Sequence, residues 1–217
     1  FEDCSSLKTL TIPNSVMSVG GWAFHNCYSL TSVTIVINTT MEDYCTNNLN
    51  GKLYDARATS ATRHLLLNGS EVTTIDIPNT ITTIGNLAFY NCEALTAVSI
   101  PNSVTTIGKS AFYNCKSLTA VSIPNSVTTI GDGAFQNCSS VSSYEIPNSV
   151  THIGTSAFQG SNYADITIAS GCNTTVLDKA FDGIRNIYAN ATVPPAITKT
   201  SIVNSAALII VPDNLLQ

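Results

Sequence analysis

Apolar and polar residues alternate along this chain in a pattern that returns every 23 residues. The clearest units run from Leu95 to Ser117 and from Leu118 to Ser140, and each opens with an apolar alternation that ends at Ile100 or Ile123. Alternation with a period of two predicts a short strand with one face directed inward. The proline that follows ends the strand because it has no N–H to donate. Each repeat is therefore expected to form one turn of a solenoid.

Phenylalanine recurs with the same 23-residue spacing later in each unit, where it is expected to fill the side of the coil opposite the strand. The phenylalanines that share it are Phe89, Phe112, Phe135, Phe158 and Phe181, with Phe1 and Phe24 in the same spacing upstream. A single turn cannot enclose its own apolar side chains, so neighbouring turns must stack and bury equivalent residues against each other. The sequence therefore predicts ladders of identical buried side chains.

These units resemble the leucine-rich-repeat consensus and, more closely, the BspA-like leucine-rich-repeat proteins. The matching stretches are Ile100 to Val104, Ile107-Gly108 and Ala111 to Cys115, with counterparts in neighbouring repeats. The resemblance implies a mainly β repeat solenoid, a right-handed superhelix with parallel strands on one face. Ser103 stands where the general consensus has asparagine, so the usual asparagine ladder is not carried over to Asn102.

The repeat signal is interrupted once and fades near the end. One domain is expected over 1–217, with repeats at 1–35, an irregular insertion at 36–71, repeats at 72–188 and a degenerate terminal cap at 189–217. Within the insertion, Asn68-Gly69 lies between apolar runs and favours a tight hairpin, because both positions tolerate positive φ.

Charge limits the classes of partner. The formal net charge is -5 and the pI is near 4.9, so no basic stripe exists for nucleic acid or for an anionic membrane. No apolar run is long enough to cross a bilayer, and no membrane insertion is expected within this chain. The chain opens inside a repeat, so a signal or anchor is expected to lie outside the visible sequence.

Cysteine and histidine patterns give no catalytic or metal motif. Five cysteines occupy one slot of the repeat, which favours buried thiols that pack as small hydrophobes: Cys4, Cys27, Cys92, Cys115 and Cys138. Cys45 and Cys172 fall outside this slot and are the candidates for exposed thiols. Neither a metal nor a cofactor is expected, and the scattered carboxylates do not favour a glycan hydrolase. We do not expect an enzyme.

Three groups of residues are candidates for contact with a partner. Outward positions of the expected strands form the first group: Thr74, Asp76, Thr96, Ser99, Thr119, Ser122, Ser143 and Glu145. The insertion supplies Glu42, Asp43 and Tyr44, and an aromatic stripe supplies Tyr90 and Tyr113. The competing interpretations are a bland solvated face, an insertion that pads one edge and tyrosines that pack against loops.

The resemblance also carries an expectation about function. BspA-like proteins are surface proteins linked to attachment, which implies an extracellular or cell-surface binding module, bacterial in origin. Its partner would be a host or extracellular-matrix protein or a surface glycan. The alternative is a structural spacer within a larger surface protein, with no ligand of its own.

Overall fold

The structure is a computed structural model that describes residues 1–13, 15–16, 19, 23–37, 40–47, 61–161, 164–172, 174–189 and 208–210. For residues 43, 46, 47 and 208–210 it describes the backbone alone. Most of the expected cap at 189–217 therefore lies outside the described residues.

In the described residues the chain winds through short strands with one short helix. In chain order the elements are β1 Thr9–Ile12, β2 Ser32–Ile37, α1 Met41–Asn47, β3 Thr62–Leu67, β4 Ser70–Glu71, β5 Thr74–Asp76, β6 Thr83–Ile84, β7 Ala97–Ser99, β8 Thr106–Ile107, β9 Ala120–Val121, β10 Thr129–Ile130, β11 Ser143–Ile146, β12 His152–Ile153, β13 Asp165–Ile168, β14 Thr175–Val176, β15 Asn186–Ala189 and β16 Leu208–Ile210. The expected β-solenoid is confirmed.

Parallel strands line two faces of the solenoid rather than the single face that was expected. We call β1, β2, β3, β5, β7, β9, β11, β13, β15 and β16 the front strands; within each of three sheets they pair in parallel, as in Asp76 with Ser99. The even-numbered strands from β6 to β14 form a continuous five-stranded back sheet. These back strands are only two residues long, too short for an alternation to be visible in the sequence.

Stacked aromatic rings fill the core. Phe89, Phe112, Phe135 and Phe158 are fully buried, and successive ring centroids lie 5.2, 5.2 and 5.5 Å apart. Each ring therefore stacks on the same residue of the next coil, which fixes the register of the stack.

Polar side chains also form ladders between coils. Ser103 donates its hydroxyl to the carbonyl of Ile81 at 2.8 Å, and Ser126 and Ser149 repeat this bond one coil apart. A separate amide ladder joins Asn137 to Asn114 and Asn114 to Asn91, each at 2.9 Å. These asparagines have φ between 56° and 61°, a left-handed conformation that asparagine tolerates better than most residues.

The segment 36–71 is only partly an insertion. Thr62–Leu67 pairs in parallel with β2 and is a full rung of the front of the solenoid. Arg63 lies at the inward position opposite Val33, and a charged residue there hides the apolar alternation in the sequence. β3 and β4 then form an antiparallel hairpin, in which Asn68 has φ 52° and Gly69 has φ 80°.

Helix α1 is anchored to the core by Tyr44. Its side chain is buried, its hydroxyl donates to the carbonyl of Ala88 at 2.7 Å, and its ring centroid lies 5.7 Å from that of Phe89.

Burial lowers the pKa of the nearby Arg63 guanidinium, an effect that Cys92, Tyr90 and Tyr44 oppose. No helix in the described part of the chain is long and apolar enough to cross a membrane.

Truncation of Phe112 tests the aromatic ladder. Because its ring is fully buried between two others, we expect Phe112→Ala to lower the free energy of unfolding by about 3–5 kcal/mol in urea denaturation. Phe1→Ala is the matched control, since its ring also stacks in the ladder but is 70% exposed. Equal losses in the two variants would contradict the structural importance of the buried rungs.

Candidate binding face

The front strands bring six of the candidate residues to one surface. Thr74, Asp76, Ser99, Ser122, Ser143 and Glu145 are all exposed and lie at outward positions of β5, β7 and β11 or just after β9. We call this surface the front face. Their inward neighbours, such as Ile75 and Val98, are buried, so the alternation in the sequence separates core from surface.

Thr96 and Thr119 lie beside this surface but have a structural role. Each is exposed at the entry to its front strand. The Thr96 hydroxyl donates to the carbonyl of Thr73 at 2.9 Å, and that of Thr119 donates to the carbonyl of Thr96 at 3.2 Å. Their hydroxyl hydrogens are thus used to brace one coil against the next.

The front of the solenoid is divided into three sheets. Their orders are β1-β2-β3-β4, β5-β7-β9 and β11-β13-β15-β16, whereas the back sheet, which begins at β6, is continuous past the division between β9 and β11. One division lies after the hairpin: β4 pairs with the edge of β3 in the antiparallel direction, so β5 does not pair with β3. The other separates β9 from β11.

Tyr144 accounts for the division between β9 and β11. It occupies the inward position that valine holds one coil earlier, at Val121, and its ring is fully buried. The ring centroid lies 4.6 Å from that of Phe158 and 5.7 Å from that of Phe135, and its hydroxyl lies 3.2 Å from the Ser161 hydroxyl. A phenol ring needs more room than an isopropyl group, so the front strands separate while the back sheet keeps its pairing.

A groove opens along this division. Its main part has a volume of about 720 Å³ and continues into a hollow of about 270 Å³; Ser122, Ile123 and Glu145 line both. The remaining lining residues are Ile100, Asn102, Thr119, Ala120, Val121, Pro124, Asn125, Ser142, Ser143, Ile146, Pro147, Thr167, Ala169 and Ser170. We call this the front groove. It combines an isoleucine and proline floor with hydroxyl, amide and carboxylate groups.

A second hollow of about 380 Å³ lies at the other division of the front face. Met41 at the start of α1, the hairpin and β5 all contribute to it, and we call it the hairpin hollow. Its lining residues are Met41, Leu67, Ser70, Glu71, Val72, Thr73, Thr74, Ile75 and Asp76. Glu71 also lies 2.6 Å from Nδ1 of His64. The insertion and the sheet therefore meet at a small pocket with two carboxylates.

The candidates from the insertion are placed unequally. Glu42 is exposed on α1, whereas the side chain of Asp43 lies outside the described residues. Tyr44 was expected as a contact residue, but its burial against Phe89 makes it an anchor of the helix. The composition of this segment is typical of a loop or a short helix; the structure has the helix, which turns Tyr44 inward.

Tyr90 and Tyr113 form a stacked pair. Their ring centroids lie 4.9 Å apart with an interplanar angle of 6°, while Tyr90 is buried and Tyr113 is half-buried. The next members of this stripe, Gln136 and Gln159, join their side-chain amides at 2.9 Å. The pair is set apart from the front face and offers little aromatic surface.

The cysteine ladder is confirmed only in part. Cys27, Cys92, Cys115 and Cys138 are buried, but Cys4 is exposed because no described coil covers its side of the stack. Cys45 and Cys172, the candidates for exposure, are buried instead. Burial raises the pKa of Cys92 and Cys138 to about 12 and that of Cys45 to about 11. Among the described residues no group of His, Cys, Asp and Glu could hold a metal.

Thiol labelling tests this arrangement. Because the thiolate is the reactive form, we expect Cys4 alone of the seven cysteines to react rapidly with a disulfide reagent at neutral pH. The other thiols should react only after denaturant is added. In Cys4→Ser the rapid phase should disappear, and its persistence would show that a second thiol is accessible.

Replacement of Tyr144 tests the origin of the front groove. With Tyr144→Val, we expect amides of β9 and β11 to exchange more slowly with deuterium, because valine leaves room for the two strands to pair. Tyr144→Phe keeps the bulk and loses the contact with Ser161, so exchange should stay fast. Slow exchange in both variants would assign the division to the hydroxyl contact rather than to ring volume.

The winding, the repeated register and the stacked core define a leucine-rich-repeat solenoid. The family model described as "BspA type Leucine rich repeat region" matches residues 1–54 and 63–188 in six copies. The chain therefore belongs to the BspA-type leucine-rich-repeat family, as the sequence motifs indicated. No curated protein sequence gives a significant match to it.

Solved structures of bacterial leucine-rich-repeat proteins are similar to this chain. The pneumococcal vaccine antigen PcpA has a TM-score of 0.60 and 18% identity over 96% of this chain and 52% of its own. A leucine-rich repeat protein from Bacteroides ovatus gives 0.45 and 23%, over 88% and 57%. A leucine rich cell surface protein from Faecalibacterium prausnitzii gives 0.30 and 20%, over 92% and 80%. The chain spans about half the length of PcpA, and this likeness supports the fold alone.

Proposed function

We propose that this chain is a recognition module of a bacterial cell-surface protein and that its front groove binds a host or extracellular-matrix protein. The observation that carries the proposal is the front groove itself, about 720 Å³ in its main part. Membership of the BspA-type family and the surface location named for the Faecalibacterium prausnitzii protein support the cellular setting.

The groove has the composition of a protein contact site. Ile123, Pro124 and Pro147 provide apolar area in its floor, and Ser122 and Glu145 provide polar groups at fixed positions on rigid strands. Non-obligate protein interfaces mix apolar and polar groups in about the proportion of the rest of the protein surface. None of the residues that line the groove is aromatic, so it lacks both the ring faces on which sugars are commonly stacked and the aromatic anchors of protein hot spots.

A spacer without a ligand is the competing function, and one observation favours it. Many hydroxyls near the front face donate hydrogen bonds to the neighbouring coil, as those of Thr96 and Thr119 do. These hydroxyls stabilise the stack of coils rather than contact a partner. This interpretation predicts an elongated body with no affinity of its own.

The proposal is tested by comparing the parent chain with Ser122→Arg for binding to an array of extracellular-matrix proteins and glycans. The arginine would fill the front groove at an exposed position, so we expect saturable binding to a matrix protein to be lost. Thr11→Arg is the matched control, because Thr11 holds the equivalent exposed position of β1, outside the groove.

The outcomes separate the two functions. Binding that Ser122→Arg abolishes and Thr11→Arg preserves supports recognition through the front groove. Binding that both variants retain would show that the site lies outside the front groove. Absence of binding by all three proteins would favour the spacer, provided that circular dichroism shows each to be folded.

A further inference from the structure

We propose that the partner protein enters the front groove with an extended segment whose main chain pairs with the unpaired edge of β11. This inference rests on the proposed function, because it names the part of the partner that the front groove holds. The segment would add a strand to the front of the solenoid at the division between β9 and β11.

The backbone of β11 is paired on one side only. Toward the next coil, the carbonyls of Ser142 and Ile146 accept hydrogen bonds from backbone amides at 3.0 and 2.9 Å. Backbone groups of successive strand residues point to alternate sides. Those of Ser143 and Glu145 therefore point away from β13, and both residues line the hollow of about 270 Å³ beside β9. Among the described residues, no backbone hydrogen bond joins either of them to β9.

The opposite wall of the groove also has unpaired backbone. One coil earlier, the amide of Thr119 donates to the carbonyl of Thr96 at 3.0 Å, where β7 and β9 begin. In the described backbone no equivalent bond runs from Ser142 to Thr119. Val121 pairs with β7 through its strand but has no partner strand on the side of the groove. Both walls thus present main-chain donors and acceptors.

Unpaired strand edges of this kind select an extended segment. A strand offers an N–H and a C=O toward one edge at every second residue, roughly 6.8 Å apart, which is the spacing that β11 presents. A helix uses its backbone groups internally except at its ends, so it cannot match this edge. Addition of a peptide strand to an open sheet edge is a recurring mode of recognition between proteins. The front groove therefore suits an extended segment better than a helix.

The side chains of the groove set the pattern of the segment. Ile123 and Pro124 lie in the floor, whereas Ser122 and Glu145 are exposed at the rim. Side chains of a strand alternate between its two faces, so one set meets the floor and the other faces solvent. The buried ring of Tyr144 already fills the space beneath, and the inward side chains must be small. The matching segment alternates small apolar residues with polar ones.

The test uses the capped heptapeptide Ser-Thr-Val-Thr-Val-Thr-Ser and two modified forms of it. One form is N-methylated on both valines and the other on all three threonines, so each loses the donors of one edge and keeps every side chain. Binding is followed by amide chemical shifts of the folded, isotope-labelled chain. We expect the unmodified peptide to shift the amides of Ser143 and Glu145 and to slow their exchange with deuterium. At least one methylated form should bind about fivefold more weakly, the effect of losing one hydrogen bond.

A proline variant tests the edge of β11 from the side of the chain. Proline has no N–H and is tolerated at the start of a strand and on an unpaired edge, so Ser143→Pro should keep the pairing with β13 and lose the peptide-induced shift at Glu145. Thr9→Pro is the matched control: Thr9 opens β1 as Ser143 opens β11, and β1 also ends its sheet, but it lies outside the groove. This control should keep the shift at Glu145. Circular dichroism checks that both variants are folded.

Three results would overturn the inference. They are the absence of any shift at Ser143 and Glu145 with the unmodified peptide, equal affinity for all three peptides, and a folded Ser143→Pro that still shows the shift at Glu145. If Ser143→Pro does not fold, the comparison of the three peptides decides the question.

Failure of this inference can be told apart from failure of the proposed function. If a matrix protein binds the parent chain but not Ser122→Arg, and Ser143→Pro binds it as well as Thr9→Pro does, recognition stands and the strand pairing is wrong. If Ser143→Pro alone of these two loses the matrix protein, both are supported. If the peptide pairs with β11 and no matrix protein binds, the strand pairing stands and the choice of partner is wrong.

Discussion

Stacking of like residues on like residues is the constraint on which the rest of this structure depends. No coil has a core of its own, because its inward side chains are covered only when the next coil presents the same shapes at the same height. Three kinds of contact between adjacent coils satisfy this condition. Phenylalanine rings stack at 5.2 Å, serine hydroxyls donate to backbone carbonyls, and asparagine side chains bond to each other. Gly131 shows how strict it is, since a Cβ there would lie 2.7 Å from the amide nitrogen of Lys109 in the preceding coil.

Surface features arise where a coil departs from its neighbours. Tyr144 stands on the rung of Val121 and coincides with one division of the front strands, and the antiparallel hairpin of β3 and β4 produces the other. The back sheet and the phenylalanine stack continue past Tyr144, so its extra volume is expressed at the front. A regular solenoid would give a flat, hydroxylated surface, and these two departures turn it into one with two hollows.

The repeat made the winding, the front strands and most of the core predictable, because each depends on residues within a single unit. Properties that depend on a neighbouring coil were harder to anticipate. Tyr144 is visible in the sequence as an irregular residue, but the groove follows only once Phe135 and Phe158 are placed against it. The helix that buries Tyr44 has no repeat to reveal it.

The separation of inward from outward positions also explains how a solenoid of this kind can acquire a specific contact without loss of stability. Inward residues and the bracing hydroxyls of Thr96 and Thr119 are tied to their counterparts, so a change in one coil strains two others. Asp76, Ser99, Ser122 and Glu145 carry no such link between coils through their side chains and can differ from coil to coil. Charge placed at these positions can therefore change from coil to coil while the stacked core stays the same.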